Sequence, residues 1–162
     1  MTSENKWKVK SSTITFKIKN AGLTVDGFFK GLEAEINFDA NKPENCQITA
    51  SIDATSINTN NSWRDNHLRG SDYFDAKQYP KILMKSKKIT KSNQGEWLAN
   101  FTLTIKGISK EIQFPFKFTQ KDKTAWFEGN FTINRRDFGV GGGSLILSNQ
   151  ATVFISVAVQ QE

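Results

Sequence analysis

The segment STITFKIK, residues 12–19, alternates polar and apolar side chains with a period of two. Ile14, Phe16 and Ile18 fall on one side, and the threonines and lysines between them fall on the other. Successive side chains of a β-strand point to opposite faces, so this pattern predicts a strand with one buried and one solvent-facing side. The segment therefore predicts a sheet that encloses an apolar interior.

The same alternation recurs along most of the chain. It is found at residues 32–38, 46–52, 101–105, 112–118, 127–133 and 153–159. Turn-forming residues separate these segments, at 20–22, 41–43, 92–95, 106–107 and 121–123. Connections this short join strands that run in opposite directions, so the sheet should be antiparallel.

About eight strands in 162 residues can form either a two-sheet sandwich or a closed barrel. Short connections favour a meander of sequential neighbours, and a meander of eight twisted strands removes its free edges by closing. We predict an all-β fold, an eight-stranded antiparallel up-and-down barrel, in a single domain that spans residues 1–162. The interior of a barrel of this size is either filled by side chains or holds one small ligand.

One long segment, residues 55–80, interrupts the alternation. Asn61 or Ser62 can cap a short helix that runs to Arg69, and Gly70 can end it. A connection of this length in a compact domain is usually functional or disordered, and the aromatic residues within it argue against disorder. We therefore predict a helical lid around residues 61–77 that covers one mouth of the barrel.

The composition excludes several classes of protein. The chain has one Cys and one His, so it cannot form an internal disulfide, a cysteine metal cluster or a metal site with several imidazoles. Phe accounts for 13 of the 19 aromatic residues, which indicates a large amount of apolar side-chain surface available for burial. Cys46 falls on the apolar side of its strand, and we expect a small buried thiol there.

The charge pattern argues against nucleic-acid binding. The formal net charge is +6, but the lysines are scattered over outward positions of many strands and no arginine-rich face with interleaved aromatics is present. We expect no nucleic-acid partner and at most transient contact with a membrane surface. The first residues carry no apolar signal region, so the sequence as given predicts a cytoplasmic protein, or a periplasmic one if a leader was removed.

Arg135 is the most informative single position. Counting back by twos gives Ile133, Phe131, Gly129 and Phe127, so a regular strand would aim its guanidinium into the apolar interior. A buried arginine stays charged and needs a partner. That partner could be an internal carboxylate or an acidic group of a ligand, and a bulge at 134–136 could instead turn the side chain outward. The candidate carboxylates are Asp65, Asp72 and Asp137.

Three motifs in order resemble the signatures of the YceI-like family. They are Arg64-Asp65 with His67-Leu68 ahead of Ser71-Asp72-Tyr73-Phe74-Asp75 and Tyr79-Pro80, then L-T-x-x-G at 103–107, and F-x-I-x-R-x-D-F-G at 131–139. The resemblance spans roughly residues 6–159. It implies a lipocalin-like barrel whose apolar interior accommodates polyisoprenoids or related amphiphilic lipids, without catalysis. Asn20 stands where many members of the family have a histidine.

The leading hypothesis is a non-catalytic binding and carrier protein that needs no cofactor. Its ligand would be a polyisoprenoid, a quinone-like lipid or a fatty lipid, with the lid closing the cavity and Arg64 or Arg135 near a polar head group. The predicted ligand-binding residues are Phe16, Phe38, Arg64, Asp65, His67, Leu68, Phe74, Tyr79, Phe101, Phe114, Phe116, Phe127, Phe131, Arg135 and Phe138.

Two other readings stay open at this point. An enzyme acting inside the barrel would use His67, Asp65 or Arg135, and would need these groups to converge in a cavity. We expect His67 instead to make a hydrogen bond at the mouth. A packed barrel without a ligand could serve as an interaction module, and a filled interior would support it. A homodimer is compatible with either reading.

Overall fold

The structure, a computed structural model, describes residues 5–162, and these form a closed barrel of eight antiparallel strands. The strands are β1 Lys6–Asn20, β2 Leu23–Asn37, β3 Gln47–Asn58, β4 Lys81–Lys91, β5 Trp97–Ile105, β6 Ile108–Lys121, β7 Thr124–Asn134 and β8 Leu147–Gln161. The predicted all-β barrel is confirmed, and the sandwich alternative is wrong.

Each strand pairs with its sequence neighbours, and β8 returns to pair with β1. The closing ladder runs from Trp7 opposite Gln161 to Asn20 opposite Leu147, nearly the full length of both strands. Closure leaves the barrel without a free edge strand. The alternating residues that the sequence assigned to one side therefore face a common interior.

A meander places alternate connections at opposite ends of the barrel. We call one end the lid end, with the connections 21–22, 59–80, 106–107 and 135–146. The other, the closed end, has the connections 38–46, 92–96 and 122–123. At the lid end, Lys106 and Gly107 both have positive φ, at 54° and 75°, as the tight primed turn of a two-residue hairpin requires.

The lid begins with the one α-helix among the described residues, α1, Ser62–Leu68. Asn61 is its N-cap, and its side chain accepts a hydrogen bond from the backbone N–H of Arg64 at 3.0 Å. Arg69 is the C-cap, and the chain then continues through turns to Pro80. The predicted cap and helix are confirmed. None of the helices in the described part is long and apolar enough to span a bilayer.

An aromatic cluster fills the closed end, and we call it the plug. The ring of Phe38 lies 4.8 Å from that of Trp97, 4.5 Å from Phe118 and 5.0 Å from Phe127. Trp7 donates its indole N–H to the backbone oxygen of Phe38 at 3.0 Å. Phe38 was predicted in the cavity wall, but it follows the last residue of β2 and turns under the interior, so it seals the bottom.

Cys46 is buried beside the plug, as its position in the alternation predicts. Its sulfur accepts a hydrogen bond from the backbone N–H of Asp39 at 3.3 Å. Burial raises the pKa of the thiol above its ordinary value, although the Asp39 backbone opposes this effect. A raised pKa means less thiolate at neutral pH, so Cys46 is a packing residue with low reactivity.

The plug gives a stability prediction. Phe38→Ala should lower the free energy of unfolding by about 3–5 kcal/mol, because the cavity it leaves is surrounded by rigid rings. Urea unfolding followed by tryptophan fluorescence measures the change. Phe154→Ala, at a partly exposed position on the outside of β8, should cost about 1 kcal/mol or less. Equal losses in the two variants would contradict the role of Phe38.

Candidate functional site

A cavity of about 270 Å³ lies between the lid and the plug. All eight strands contribute inward-facing side chains to its wall, and the lid and the 3₁₀ turn Arg135–Phe138 complete it at the top. Nearly all of the wall is apolar. The polar side chains that reach it near the lid end include those of Asn20, Thr59, Arg64 and Arg135.

Most of the predicted ligand-binding residues lie on this wall. From the strands these are Phe16, Phe101, Phe114, Phe116, Phe127 and Phe131, and from the lid end Arg64, Leu68, Phe74, Arg135 and Phe138. Phe114 stacks between Phe101 and Phe131, with ring centroids 5.7 and 4.9 Å away. The alternation predicts these rings on the apolar side of their strands, and closure of the sheet turns that side towards the interior.

Four predicted residues lie elsewhere. Phe38 is in the plug. His67 is on the exposed side of α1, where its ring packs edge-on against Trp63 at 4.3 Å, and so it lies away from the cavity. The ring of Tyr79 is partly exposed and lies against Gly107 in the β5–β6 turn. Asp65 is buried but faces the start of the lid, away from the cavity.

The carboxylate of Asp65 fixes the entry to the lid. One of its oxygens accepts hydrogen bonds from both the backbone N–H and the hydroxyl of Thr59, at 2.9 and 2.6 Å. Buried carboxylates require such donors, and here they come from the chain itself. The role of Asp65 is therefore to hold β3 to α1.

Sequence reasoning missed several aliphatic and lid residues of the wall. Leu32, Ile105 and Val153 line the cavity, and their inward parity was evident, but the prediction named only the aromatic residues of the strands. Ile57 and Tyr73 also line it, from the end of β3 and from the lid. These two lie where the alternation stops, so no periodic signal could have identified them.

Arg135 points into the barrel, as its parity predicts, and only 4% of its surface is exposed. Strand β7 ends one residue earlier, and Arg135 begins the 3₁₀ turn. Its guanidinium donates to four backbone oxygens, those of Val140 at 2.9 Å, Gly142 at 3.0 Å, Ser148 at 2.9 Å and Leu147 at 3.3 Å. Arg135 therefore gathers the whole β7–β8 connection around one cation.

Within residues 5–162 the structure gives Arg135 no ion pair with a carboxylate. The internal salt bridge that the sequence left open, to Asp65, Asp72 or Asp137, is thus not formed. Burial lowers the pKa of Arg135; the neighbouring Tyr73 opposes the shift, and Arg136 adds to it. An arginine stays protonated nonetheless, so the top of the cavity holds a positive charge balanced only by carbonyl dipoles.

Arg64 is the second cation on the wall. Its Nε donates to the hydroxyl of Thr59 and its Nη2 to the backbone oxygen of Thr59, both at 2.8 Å. The described residues supply no ion pair to Arg64 either. The lid end of an otherwise apolar cavity therefore carries two guanidinium groups that have donors left for an anionic or polar group.

The lid is fastened to the β7–β8 connection by Lys106, in the turn between β5 and β6. Its ammonium group donates to the backbone oxygen of Ser71 in the lid at 2.7 Å and to that of Gly139 at 2.9 Å. The backbone N–H of Gly141 also donates to the oxygen of Asp72 at 2.8 Å. Three separate connections therefore meet at this latch, which we define as Lys106, Ser71, Asp72, Gly139 and Gly141.

The described part of the chain holds no cluster of three His, Cys, Asp or Glu side chains that could bind a metal ion. Near the cavity, the hydroxyl of Thr59 links Arg64 and Asp65, and Arg135 is held by backbone oxygens. The arrangement can enclose an apolar chain and present two cations to its end.

The family follows from the comparison of the whole chain with known proteins. A family model described as the YceI-like domain matches residues 6–160. The chain belongs to the YceI-like family. This confirms the resemblance carried by the three sequence motifs.

Relatives and solved structures agree with that assignment. A UPF0312 protein of Pseudomonas fluorescens is 33% identical over 155 residues, which cover 88% of this chain and 78% of that protein. BcnA of Burkholderia cenocepacia has a TM-score of 0.88 at 25% identity, over 93% of this chain and 99% of that one. A polyisoprenoid-binding domain from Saccharophagus degradans shares the fold, with a TM-score of 0.77 at 14% identity, over 97% and 98% of the two chains.

The latch gives a prediction about lid dynamics. Lys106→Met keeps the length of the side chain but removes both hydrogen bonds, so local opening of residues 62–80 should become about three- to tenfold more frequent. Amide hydrogen exchange of the lid measures this. Lys110→Met, nearby on β6, should leave lid exchange unchanged. Uniformly faster exchange over the whole barrel would contradict a local latch.

Proposed function

We propose that this protein binds a long-chain isoprenoid or another amphiphilic lipid in the barrel, and carries it without changing it chemically. The observation that supports this most strongly is the cavity, which is apolar along its length and closed by the plug at one end. Membership of the YceI-like family supports the same function, as does the shared fold with a domain described as polyisoprenoid-binding.

Burial of an apolar tail supplies the binding free energy in this proposal. Each methylene transferred from water contributes about 0.8 kcal/mol. Ordering a flexible chain costs part of this gain. Rigid phenylalanine rings line the wall, so we expect the length and branching of the tail to decide which lipid binds.

The two guanidinium groups orient the ligand. Arg64 and Arg135 lie at the lid end of the wall, and the aromatic plug lies at the other end. A tail would therefore point towards the plug, with its head group beneath the lid. Arginine suits this role because its planar fork of donors matches a carboxylate or phosphate.

The positions of the titratable residues favour binding over catalysis. His67 lies on the outer side of α1, and Asp65 is occupied by Thr59, so neither faces a ligand in the cavity. General acid-base chemistry needs such groups within hydrogen-bond reach of the reacting atom. The cavity itself argues against the third reading, a fully packed barrel used only for interaction.

Native mass spectrometry with lipid extraction tests the proposal directly. Protein purified gently, without detergent, should carry a mass above that of the chain alone, and the extract should contain an amphiphile with a long apolar tail. Protein that is empty, and that also fails to bind polyprenol, quinone and fatty-acid probes, would overturn the proposal.

The cavity can be blocked from a single position. Ala50 lines the wall on β3, so Ala50→Phe should fill part of the cavity and weaken binding of a fluorescent polyene lipid by about tenfold or more. Thr49→Phe is the matched control, because Thr49 is the exposed neighbour on the same strand. Fluorescence titration measures both. Equal affinity in the two variants would place the lipid outside the barrel.

The head-group assignment has its own test. Arg64→Gln should weaken binding of cis-parinaric acid, which is anionic, by about three- to tenfold, since a charge-assisted hydrogen bond is lost. Binding of its neutral methyl ester should be almost unchanged. Arg136→Gln serves as the control, because Arg136 is exposed and not part of the cavity wall. An equal loss for the acid and the ester would show that Arg64 acts only through packing.

A further inference from the structure

The largest exposed apolar side chains gather at one end of the barrel. Leu145 is fully exposed, Leu23 and Trp63 are each 73% exposed and Ile146 is 61% exposed, whereas Leu83, the next in order among residues 5–162, is 46% exposed. All four belong to the lid end: Leu23 starts β2, Trp63 is in α1, and Leu145 and Ile146 precede β8. We call these four residues the rim.

The rim residues are close along the chain to residues of the cavity wall. The backbone N–H of Ala21 donates to the oxygen of Ile146 at 2.7 Å, which holds the β1–β2 turn beside the β7–β8 connection. The next residue, Leu147, lines the cavity, as does Val25 two positions after Leu23. Trp63 likewise precedes Arg64 of the wall. Each part of the rim therefore lies next to, or two residues from, a residue of the cavity wall along the chain.

Packing within the barrel does not explain the rim, because these side chains are mostly in solvent. Scattered exposed apolar residues are ordinary, but a group of them around one opening marks a surface for interaction. Trp63 fits such a surface in particular, since tryptophan favours the boundary between water and the acyl chains of a bilayer.

The charge around the rim is positive. The connections of the lid end carry six Lys and Arg residues against four Asp residues, and leaving out the buried Arg135 and Asp65 leaves five against three. Arg136 lies close to Gly143 in the same connection as Leu145, and Lys19 is exposed one residue before β1 ends. The whole chain has a net charge of +6, which adds a long-range attraction to anionic surfaces.

We propose that the rim docks the mouth of the barrel onto the surface of an anionic lipid bilayer. Leu145, Ile146, Leu23 and Trp63 enter the boundary between head groups and acyl chains, and the neighbouring cations contact lipid phosphates. Docked in this way, the cavity opens towards the bilayer, so a lipid can pass between them without its tail crossing water. This last step rests on the proposed function, whereas docking itself does not.

A second copy of the chain is the competing occupant of the rim. A symmetric dimer would place the same patch on both partners, so the cations beside each rim would face like charges. An anionic bilayer instead complements both the apolar residues and the charge around them. For this reason the observations favour the bilayer.

Co-sedimentation with large unilamellar vesicles tests docking. The protein should bind vesicles of phosphatidylcholine with about one third phosphatidylglycerol more tightly than pure phosphatidylcholine, and half-molar salt should weaken this binding because it screens the charges. Tryptophan emission should shift to the blue on binding, and Trp63→Phe should abolish most of that shift. Trp7 and Trp97 are already buried, and the half-buried Trp126 lies at the start of β7, near the closed end.

The rim variant is Leu145→Ser with Ile146→Ser. It should bind anionic vesicles about tenfold more weakly or worse, because two anchoring side chains lose their apolar surface. Leu98→Ser, at a partly exposed position near the closed end, is the control and should bind as the wild type does. Far-ultraviolet circular dichroism and urea unfolding verify that each variant is folded.

Three results would overturn the proposal: no binding to anionic vesicles, an equal loss of binding in Leu98→Ser and the rim variant, or a dimer in sedimentation velocity that the rim variant dissociates. The last result would assign the rim to a second copy. Binding of cis-parinaric acid without vesicles reports the cavity alone, so failure of docking and failure of lipid binding can be told apart.

Discussion

The ladder between β1 and β8 is the constraint on which the rest of the structure depends. By pairing residues along nearly the whole of both strands, it turns a linear meander into a closed wall. Closure pairs the backbone N–H and C=O groups that an open sheet would leave unpaired at its edges. It also turns the apolar side of every strand towards one interior. Without this ladder, the phenylalanines of β5, β6 and β7 would form one face of an open sheet and would not enclose a volume.

The two ends of the barrel are closed by different means. At the closed end, Phe38 turns inward after β2 and packs among the rings of Trp97, Phe118 and Phe127. At the lid end, the closing contacts are polar. Arg135 holds the β7–β8 connection through four carbonyl oxygens, and Lys106 ties that connection to the lid. A rigid apolar base and a polar, separable cover are suited to a cavity that must open at only one side.

The electrostatic character of the cavity is set at its top, where arginine side chains lie without a carboxylate partner. Arg135 donates to four backbone oxygens and has no ion pair with an acid among residues 5–162, so its positive charge is not cancelled. Arg64 is similarly bound to Thr59. The same basic character continues outside, where exposed apolar residues and cations surround the mouth. The inside and the outside of this end therefore share one character, apolar surface with positive charge beside it, on which both proposals rest.

The sequence by itself indicated alternating segments in seven of the eight strands, the antiparallel order, a short helix capped at Asn61 or Ser62, and the parity that favours an inward Arg135. Each of these depends on a local period or on the chemistry of one turn. Of the fifteen residues that the sequence predicted for ligand binding, eleven lie on the cavity wall. Only the tertiary structure decided that Phe38 is a plug, that His67 faces outward and that Asp65 binds Thr59. It also gave Arg135 carbonyl partners where the sequence allowed a carboxylate. Those positions lie where strands end and connections cross, and there the neighbours of a side chain come from distant parts of the chain that no periodic pattern records.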